Sequence, residues 1–125
     1  MTFAYWCILL AALAPYLTIA AAKVRPDFDN NRPREWEERL GGWRKRLVWA
    51  HQNAFEAFAP FAAGVVVAHL AGAPQGRIDV LAGIFIAARI AYPFCYYADA
   101  AGARSIAWVV GFLSVIGLFV VAGLA

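Results

Sequence analysis

The sequence predicts an all-α integral membrane protein, a single bundle of four spanning helices that covers residues 1–125. Two observations carry this prediction. Hydrophobic residues make up 63% of the chain and the mean hydropathy is +0.62, whereas soluble domains are about 45–50% apolar. The apolar residues are also grouped into four long blocks, which contain only Glu56 and Arg89 as charged residues.

Each block is long enough to cross a bilayer as a helix. About 20 apolar residues span the hydrocarbon layer, and the blocks cover residues 2–22, 47–76, 80–98 and 105–125. Because an open strand or coil leaves its backbone unsatisfied in lipid, we expect helices at about 2–22, 45–71, 78–98 and 104–124. The first block lacks the basic start of a signal peptide, so we expect it to remain as a span.

The first link, residues 23–44, is expected to be a charged, solvated loop. The stretch from Lys23 to Arg46 contains eight Lys and Arg residues and five acids, and two prolines interrupt any continuous helix. This mixture of signs argues against an arm that binds nucleic acid. Basic links favour the cytoplasm, so we expect the first and third links to be cytoplasmic and both termini to lie outside.

Polar residues inside the second and third spans mark the candidate site. An ionisable side chain in a span costs about 2.5–3.5 kcal/mol and usually marks a functional or paired position. At about 100° per residue, each of these helices carries one narrow polar arc. The arcs consist of Arg46, Trp49, Asn53, Glu56 and Pro60, and of Arg89, Tyr92, Tyr96 and Asp99. Both lie toward the charged link, which predicts a shared site between the helices.

Two interpretations of these arcs remain open. Glu56 and Arg89 either neutralise each other as a structural pair or belong to a ligand site, and the first role does not exclude the second. His51 projects away from the polar arc and is expected at a membrane or subunit interface. His69 lies near the outer end of its helix and is also expected at an interface.

The remaining aromatic and sulfur-containing residues are given structural roles. Aromatic rings concentrate at membrane interfaces, so we expect such a belt from Tyr5, Trp6, Trp36, Trp43, Trp49 and Trp108. Cys7 and Cys95 fall inside predicted helices and are expected to pack there. No spacing typical of a zinc site, a phosphate loop or a nucleophile elbow is present, so no metal is expected.

Two segments resemble signatures of the MAPEG family, the membrane-associated proteins in eicosanoid and glutathione metabolism. Residues 46–61, RLVWAHQNAFEAFAPF, are similar to its second-helix signature, with an Arg upstream, an Asn three residues before a Glu, and an aromatic and proline segment after. Residues 88–96, ARIAYPFCY, are similar to its third-helix segment, with an Arg and two tyrosines at matching spacing. The four spans and the charged first link also fit, so the resemblance to a bacterial-type member covers essentially the whole chain.

The resemblance implies a homotrimer of four-helix subunits, here in a bacterial inner membrane. Enzymes of this family bind glutathione between neighbouring subunits near the cytoplasmic face and activate its thiol. The implied function is a glutathione-dependent transferase or peroxidase that acts on lipophilic electrophiles. Another low-molecular-weight thiol remains open as the cosubstrate. The implied partners are membrane lipids and a lipophilic small molecule, without nucleic acid.

The resemblance also implies roles for individual residues. Contacts to the cosubstrate fall on Arg46, Asn53, Glu56, Arg89, Tyr92 and Tyr96. The catalytic residue would be Arg104, which lies close to where the leukotriene synthase branch places its thiolate-stabilising Arg. Its spacing from Tyr96 differs from that branch by one residue.

One departure from the family pattern keeps a second function open. Several glutathione-using relatives carry an Arg four residues before the Asn, where this chain has Trp49. Arg46, Lys23 or Arg25 would have to replace it. The alternative is a non-catalytic trimer of the same fold that binds lipid or a membrane partner. A small transporter is disfavoured, because neither a pair of discontinuous helices nor an inverted repeat is present.

Overall fold

The computed structural model describes all residues, 1–125, and contains four long helices and one short one. They are α1 (Phe3–Lys23), α2 (Pro33–Glu38), α3 (Gly42–Leu70), α4 (Gln75–Tyr97) and α5 (Ala101–Gly123). At 1.5 Å per residue, even the 21-residue α1 is about 31 Å long, enough for a hydrocarbon core about 30 Å thick. The four long helices are apolar enough to cross a membrane, and the predicted all-α membrane bundle is confirmed.

The last three helices begin earlier than the apolar blocks indicate. Helix α3 begins at Gly42, α4 at Gln75 and α5 at Ala101, whereas the blocks predict starts near 45, 78 and 104. In each case the helix includes a few polar or small residues that precede the apolar block, and a prediction based on apolar residues alone does not include them. The links that remain are short, residues 71–74 and 98–100.

Helices α3 and α4 form the centre of the bundle, with α1 and α5 on opposite sides. Both α3 and α4 pack against α1 and against α5, whereas α1 and α5 do not contact each other. The rings of Phe61 and Phe85 stack between α3 and α4 with their centroids 3.8 Å apart, and both are almost completely buried. Apolar side chains from all four long helices surround this pair, among them Cys7, Val65, Ile78 and Leu118.

The helix ends define two faces of the bundle. The charged face contains the end of α1, the whole of α2, the starts of α3 and α5 and the end of α4. The terminal face contains both chain termini and the short link between α3 and α4.

The charged link is more ordered than a solvated loop, because α2 packs back onto the bundle. Trp36 is only 3% exposed and packs with Ile19, Leu40 and Val48. The prediction that Trp36 belongs to an interfacial belt is therefore wrong: its ring is the core of this small unit. Lys45 Nζ donates to the carbonyls of Glu37 and Glu38 at 3.0 and 3.2 Å, which satisfies the end of α2.

Helix α1 is tied to α3 at the proline in its interior. Pro15 is fully buried within α1, and its carbonyl accepts a hydrogen bond from His51 Nδ1 at 2.9 Å. This bond joins two helices of the same chain. His51 is half-buried, and its place at a membrane or subunit interface stays a prediction.

On the terminal face, α4 caps the start of α1. Asp79 Oδ1 accepts hydrogen bonds from the Ala4 amide at 3.0 Å and from Gln75 Nε2 at 2.8 Å. Gln75 Oε1 in turn accepts from His69 Nδ1 at 3.1 Å. An acid at a helix start satisfies a free amide and favours the helix dipole, so this chain of bonds fixes the position of α1.

Helices α3 and α5 approach most closely at Gly64. A Cβ on Gly64 would lie 3.2 Å from the Cβ of Leu118 and 3.3 Å from a ring carbon of Phe119. The Cβ of Leu118 is fixed to the backbone of α5, so a larger residue would force the helices apart. Small residues at such contacts let helices pack closely in lipid.

We predict that Gly64→Leu destabilises the bundle by about 1–3 kcal/mol, the range for overpacked cores. Gly76→Leu is the matched control, because a Cβ on Gly76 meets nothing within 4 Å. Thermal unfolding of both variants in the same detergent measures the difference. Equal unfolding temperatures would contradict the close contact of α3 and α5.

Candidate functional site

The α3 side of the candidate site consists of Asn53 and Glu56. Asn53 Nδ2 donates to Glu56 Oε2 at 3.2 Å, one helical turn away. Glu56 is exposed near the middle of α3, whereas Asn53 Oδ1 is buried and has no hydrogen-bond partner. A buried acceptor without a partner is uncommon, because it costs about 1–3 kcal/mol. This face of α3 is therefore ready to receive a hydrogen-bond donor.

Helix α4 contributes a cation and two rings at a spacing of three and four residues. The guanidinium of Arg89 lies 4.4 Å from the centre of the Tyr92 ring. The rings of Tyr92 and Tyr96 meet edge to face with centroids 5.3 Å apart. The periodicity of the helix explains the alignment, since positions three and four residues apart share one face.

Helix α5 completes this row with Arg104. Its guanidinium lies 4.6 Å from the centre of the Tyr96 ring, so two arginines enclose the two tyrosines. Cations over aromatic faces are attracted by the ring quadrupole. The short link between α4 and α5 makes the contact possible: Asp99 adopts a left-handed conformation with φ 57°, and Arg104 then falls in the first turn of α5.

Small residues bring α3 and α5 close to the tyrosine pair. Tyr92 is 4% exposed and packs with Ala50 of α3 and Ala107 of α5. On the same side of α3, the ring of Trp49 lies 6.3 Å from that of Tyr96. Three helices of one chain thus meet at the tyrosine pair, on the charged half of the bundle.

Glu56 and Arg89 do not form an ion pair. The four ion pairs of the structure join Lys23 to Glu37, Arg25 to Asp27, Arg32 to Glu35, and Arg46 to Asp99. All of them lie at the charged face. Glu56 is bonded to Asn53, and Arg89 lies over the Tyr92 ring. The structure therefore does not contain the direct contact that a purely neutralising pair of Glu56 and Arg89 requires.

The guanidinium of Arg46 is directed at the end of α4 and not at Asn53. Its Nε donates to the Tyr96 carbonyl at 2.7 Å and its Nη2 to the Tyr97 carbonyl at 3.1 Å. It also lies 4.0 Å from the Asp99 carboxylate. These carbonyls are among the last four of α4, which have no partner within the helix. Arg46 thus holds the end of α4, and with it the backbone of Tyr96, against the start of α3.

The charge balance of the site favours an anionic ligand. Arg89 and Arg104 form no ion pair, and Glu56 is the acid near Arg89. No group of three His, Cys, Asp or Glu side chains is close enough to hold a metal ion. The site therefore combines two unpaired cations, a carboxylate, an unpartnered amide oxygen and two phenol rings.

The polar chain on the terminal face is a second cluster that the sequence patterns do not reveal. His69, Gln75 and Asp79 lie across a helix boundary, so no single helical period connects them. The acid at the start of α4 was visible in the sequence, but its partner, the Ala4 amide, is 75 residues away. Only the packing of α1 against α4 brings them together.

The protein has four apolar helices, the first two of them joined by a charged link, and a polar site on three of them. These features define an integral multi-pass membrane protein. The model of the MAPEG family matches residues 3–124, and the chain belongs to this family. Comparison with curated proteins and with solved structures finds no significant match. Family membership supports a membrane function related to glutathione in general.

We predict that Arg46→Gln destabilises the end of α4. Hydrogen bonds to a charged group contribute about 1.5–3 kcal/mol each to stability, and this substitution removes two. Amide hydrogen exchange at residues 94–100 should accelerate, while the core around Phe61 keeps its protection. Arg34→Gln is the control for the loss of one positive charge, because Arg34 is exposed on α2. Unchanged exchange in Arg46→Gln would show that its contacts do not hold the helix.

Proposed function

We propose that this protein is a glutathione-dependent transferase or peroxidase that acts on lipophilic electrophiles within the membrane. The observation that carries the proposal is the unpaired Arg104, stacked on Tyr96 beside a face of α3 that offers Asn53 and Glu56. A peptide thiol needs such a combination: acceptors and an acid for its amides and ammonium group, and cations for its carboxylates and its thiolate.

The residues present fit glutathione by their chemistry. The unpartnered Oδ1 of Asn53 can accept an N–H of the peptide, and the exposed carboxylate of Glu56 can pair with the ammonium group. Arg89 offers a cation for a carboxylate, and Tyr92 and Tyr96 form an aromatic wall. Under this proposal Arg46 acts on the cosubstrate only through the position of Tyr96, whose carbonyl it binds.

Arg104 is proposed to stabilise the thiolate. A thiol has a reference pKa of about 8.5, and lowering it by two units corresponds to about 2.7 kcal/mol. One cation about 4 Å away supplies on the order of 4 kcal/mol at an effective dielectric of 20, before desolvation. In a transfer, the thiolate sulfur bonds to an electrophilic carbon as the leaving group departs with its electron pair. In a peroxide reduction, the thiolate attacks the terminal hydroperoxide oxygen, the O–O bond breaks to give an alcohol and a sulfenic acid, and a second thiol converts the sulfenic acid to a disulfide and water.

The proposal includes a homotrimer whose subunits cover one another's polar faces. Glu56 is exposed in the single chain although it lies near the middle of a spanning helix, and hydrocarbon does not solvate a carboxylate. A neighbouring copy, a ligand or both would remove this cost. Native mass spectrometry in detergent counts the copies, and a trimer is expected.

The proposal also places residues 23–44 in the cytoplasm of a bacterium, with the protein in its inner membrane. Eight of the eleven Lys and Arg residues fall in the stretch from Lys23 to Arg46, and basic links favour the cytoplasmic side. Labelling of single-cysteine variants in intact cells would reach the terminal face and not the link.

We predict that glutathione binds saturably to the detergent-purified protein and that Asn53→Ala and Glu56→Gln each weaken this binding at least tenfold. Loss of one partner of a hydrogen-bonded charge costs about 2–5 kcal/mol. Calorimetry measures the affinities, and Glu38→Gln, an acid on exposed α2, is the matched control. Equal glutathione affinities of the Glu56→Gln and Glu38→Gln variants would show that glutathione does not bind at Glu56.

Arg104→Gln is expected to raise the pH at which bound glutathione ionises, by one to two units (about 1.4–2.7 kcal/mol). The cation stabilises the charged form of the thiol, so its removal moves ionisation toward higher pH. Ultraviolet absorbance of the thiolate, titrated at saturating glutathione, measures the midpoint. In Arg104→Lys the midpoint should lie between those of the wild type and Arg104→Gln. An unchanged midpoint in Arg104→Gln would show that Arg104 does not stabilise the thiolate.

A second candidate function is a non-catalytic membrane trimer, and one observation favours it. The position that carries an Arg in several glutathione-using relatives is Trp49, and the nearest alternative, Arg46, is engaged with the end of α4. If the protein binds neither glutathione nor another low-molecular-weight thiol and shows no thiol-dependent turnover, this candidate replaces the first.

A further inference from the structure

An apolar groove lies between α1 and α4, with α3 as its floor. It has a volume of about 780 Å³, and 16 of its 19 lining residues are hydrophobic. Along α4 it extends from Phe85, near the middle of the helix, to Tyr97 at the charged face. Ala50 and Arg89 belong both to this groove and to the candidate site, and Arg89 is the one charged residue among those that line the groove.

The dimensions of the groove indicate what it can hold. From Phe85 to Tyr97 it runs for about 18 Å, close to half of a hydrocarbon core about 30 Å thick. A flexible hydrocarbon chain from one leaflet fits.

Aromatic rings and one cation frame the end of the groove at the charged face. The rings of Trp43 and Tyr97 meet there with centroids 5.4 Å apart. The guanidinium of Arg44 lies 4.2 Å from the centre of the Trp43 ring. Its Nε is buried without a hydrogen-bond partner, and its Nη2 makes a single long contact, 3.5 Å to the Val24 carbonyl.

Arg44 has no acid partner, and it is stacked on Trp43, a residue that lines the groove. Arg34 and Arg39 also form no ion pair, but neither is stacked on a lining residue. Lys23 is paired with Glu37 and Arg25 with Asp27, and Arg46 is bonded to carbonyls of α4. The whole stretch from Lys23 to Arg46 has eight basic and five acidic residues, a net charge of +3. Juxtamembrane positive charge attracts anionic lipid headgroups, and Arg44 is the unpaired cation at the charged end of the groove.

We propose that the groove holds one acyl chain of an anionic membrane phospholipid, whose phosphate is bound by Arg44 beside Trp43. The chain occupies the space between α1 and α4, and the second acyl chain remains in the bilayer. The bound lipid completes the surface of the bundle on the charged half. This site does not depend on the proposed thiol chemistry, so either proposal can fail without the other.

The headgroup is tested with the delipidated protein in detergent. Phosphatidylglycerol should raise the thermal unfolding temperature by several degrees more than phosphatidylcholine with the same acyl chains. Arg44→Gln should abolish this difference, while Arg34→Gln, an equal loss of charge on exposed α2, should keep it. Equal stabilisation of the wild type by both lipids, or a preference that survives Arg44→Gln, would overturn the proposal.

The acyl chain is tested by filling the groove. Ile90 is 55% exposed and lines the groove, whereas Val80 of the same helix is 62% exposed and lies outside it. Ile90→Trp should reduce the phosphatidylglycerol retained in native mass spectra at least fivefold, and Val80→Trp should not. Retention that is equal in the two variants contradicts the proposal. A change in the number of copies specific to Ile90→Trp would show instead that a second copy covers the groove.

Discussion

Hydrocarbon offers no hydrogen-bond partner, so each polar group inside this bundle has to find one within the protein. The structure meets this constraint with bonds between helices. His51 binds the Pro15 carbonyl, Arg46 binds the last carbonyls of α4, and Asp79 binds the Ala4 amide at the start of α1. Each bond joins segments at least 36 residues apart in the chain. The polar groups therefore fix how α1 and α4 lie against their neighbours, a task that apolar packing alone leaves loosely defined in lipid.

The places where the constraint is not met are the places where function is expected. Asn53 Oδ1 has no partner, Glu56 is exposed near the middle of a span, and Arg104 has no acid beside it. Arg104 lies on the Tyr96 ring, and Asn53 and Glu56 belong to α3, which packs against Tyr92 through Ala50. A structural role alone would favour apolar residues at these positions, because each unpartnered group lowers the stability of the fold. Their shared location indicates a ligand, a neighbouring copy, or both.

The sequence predicted the spans and the polar face of α4, because both follow from local periodicity. Arg89, Tyr92 and Tyr96 share a face wherever the helix packs. The sequence could not predict the contacts that depend on how the helix ends pack against each other. Trp36 is of a residue type that is common at membrane interfaces, yet α2 folds back and buries its side chain. Arg46 lies on the same arc as Asn53, yet its long side chain reaches carbonyls 50 and 51 residues away. The helical period determines the side of the helix on which a Cβ atom lies. It does not determine which partner a side chain as long as that of arginine will bind.

The engagement of Arg46 has a consequence for where an anionic group of the ligand can bind. Trp49 supplies no charge, and Arg46 cannot turn toward Asn53 without losing its bonds to the Tyr96 and Tyr97 carbonyls. The positive charge of the site therefore comes from α4 and α5, through Arg89 and Arg104. The acceptor groups, by contrast, all lie on α3. Under the proposed function, this separation orients the ligand, with its cationic end toward Glu56 and its anionic end toward Arg89 and Arg104.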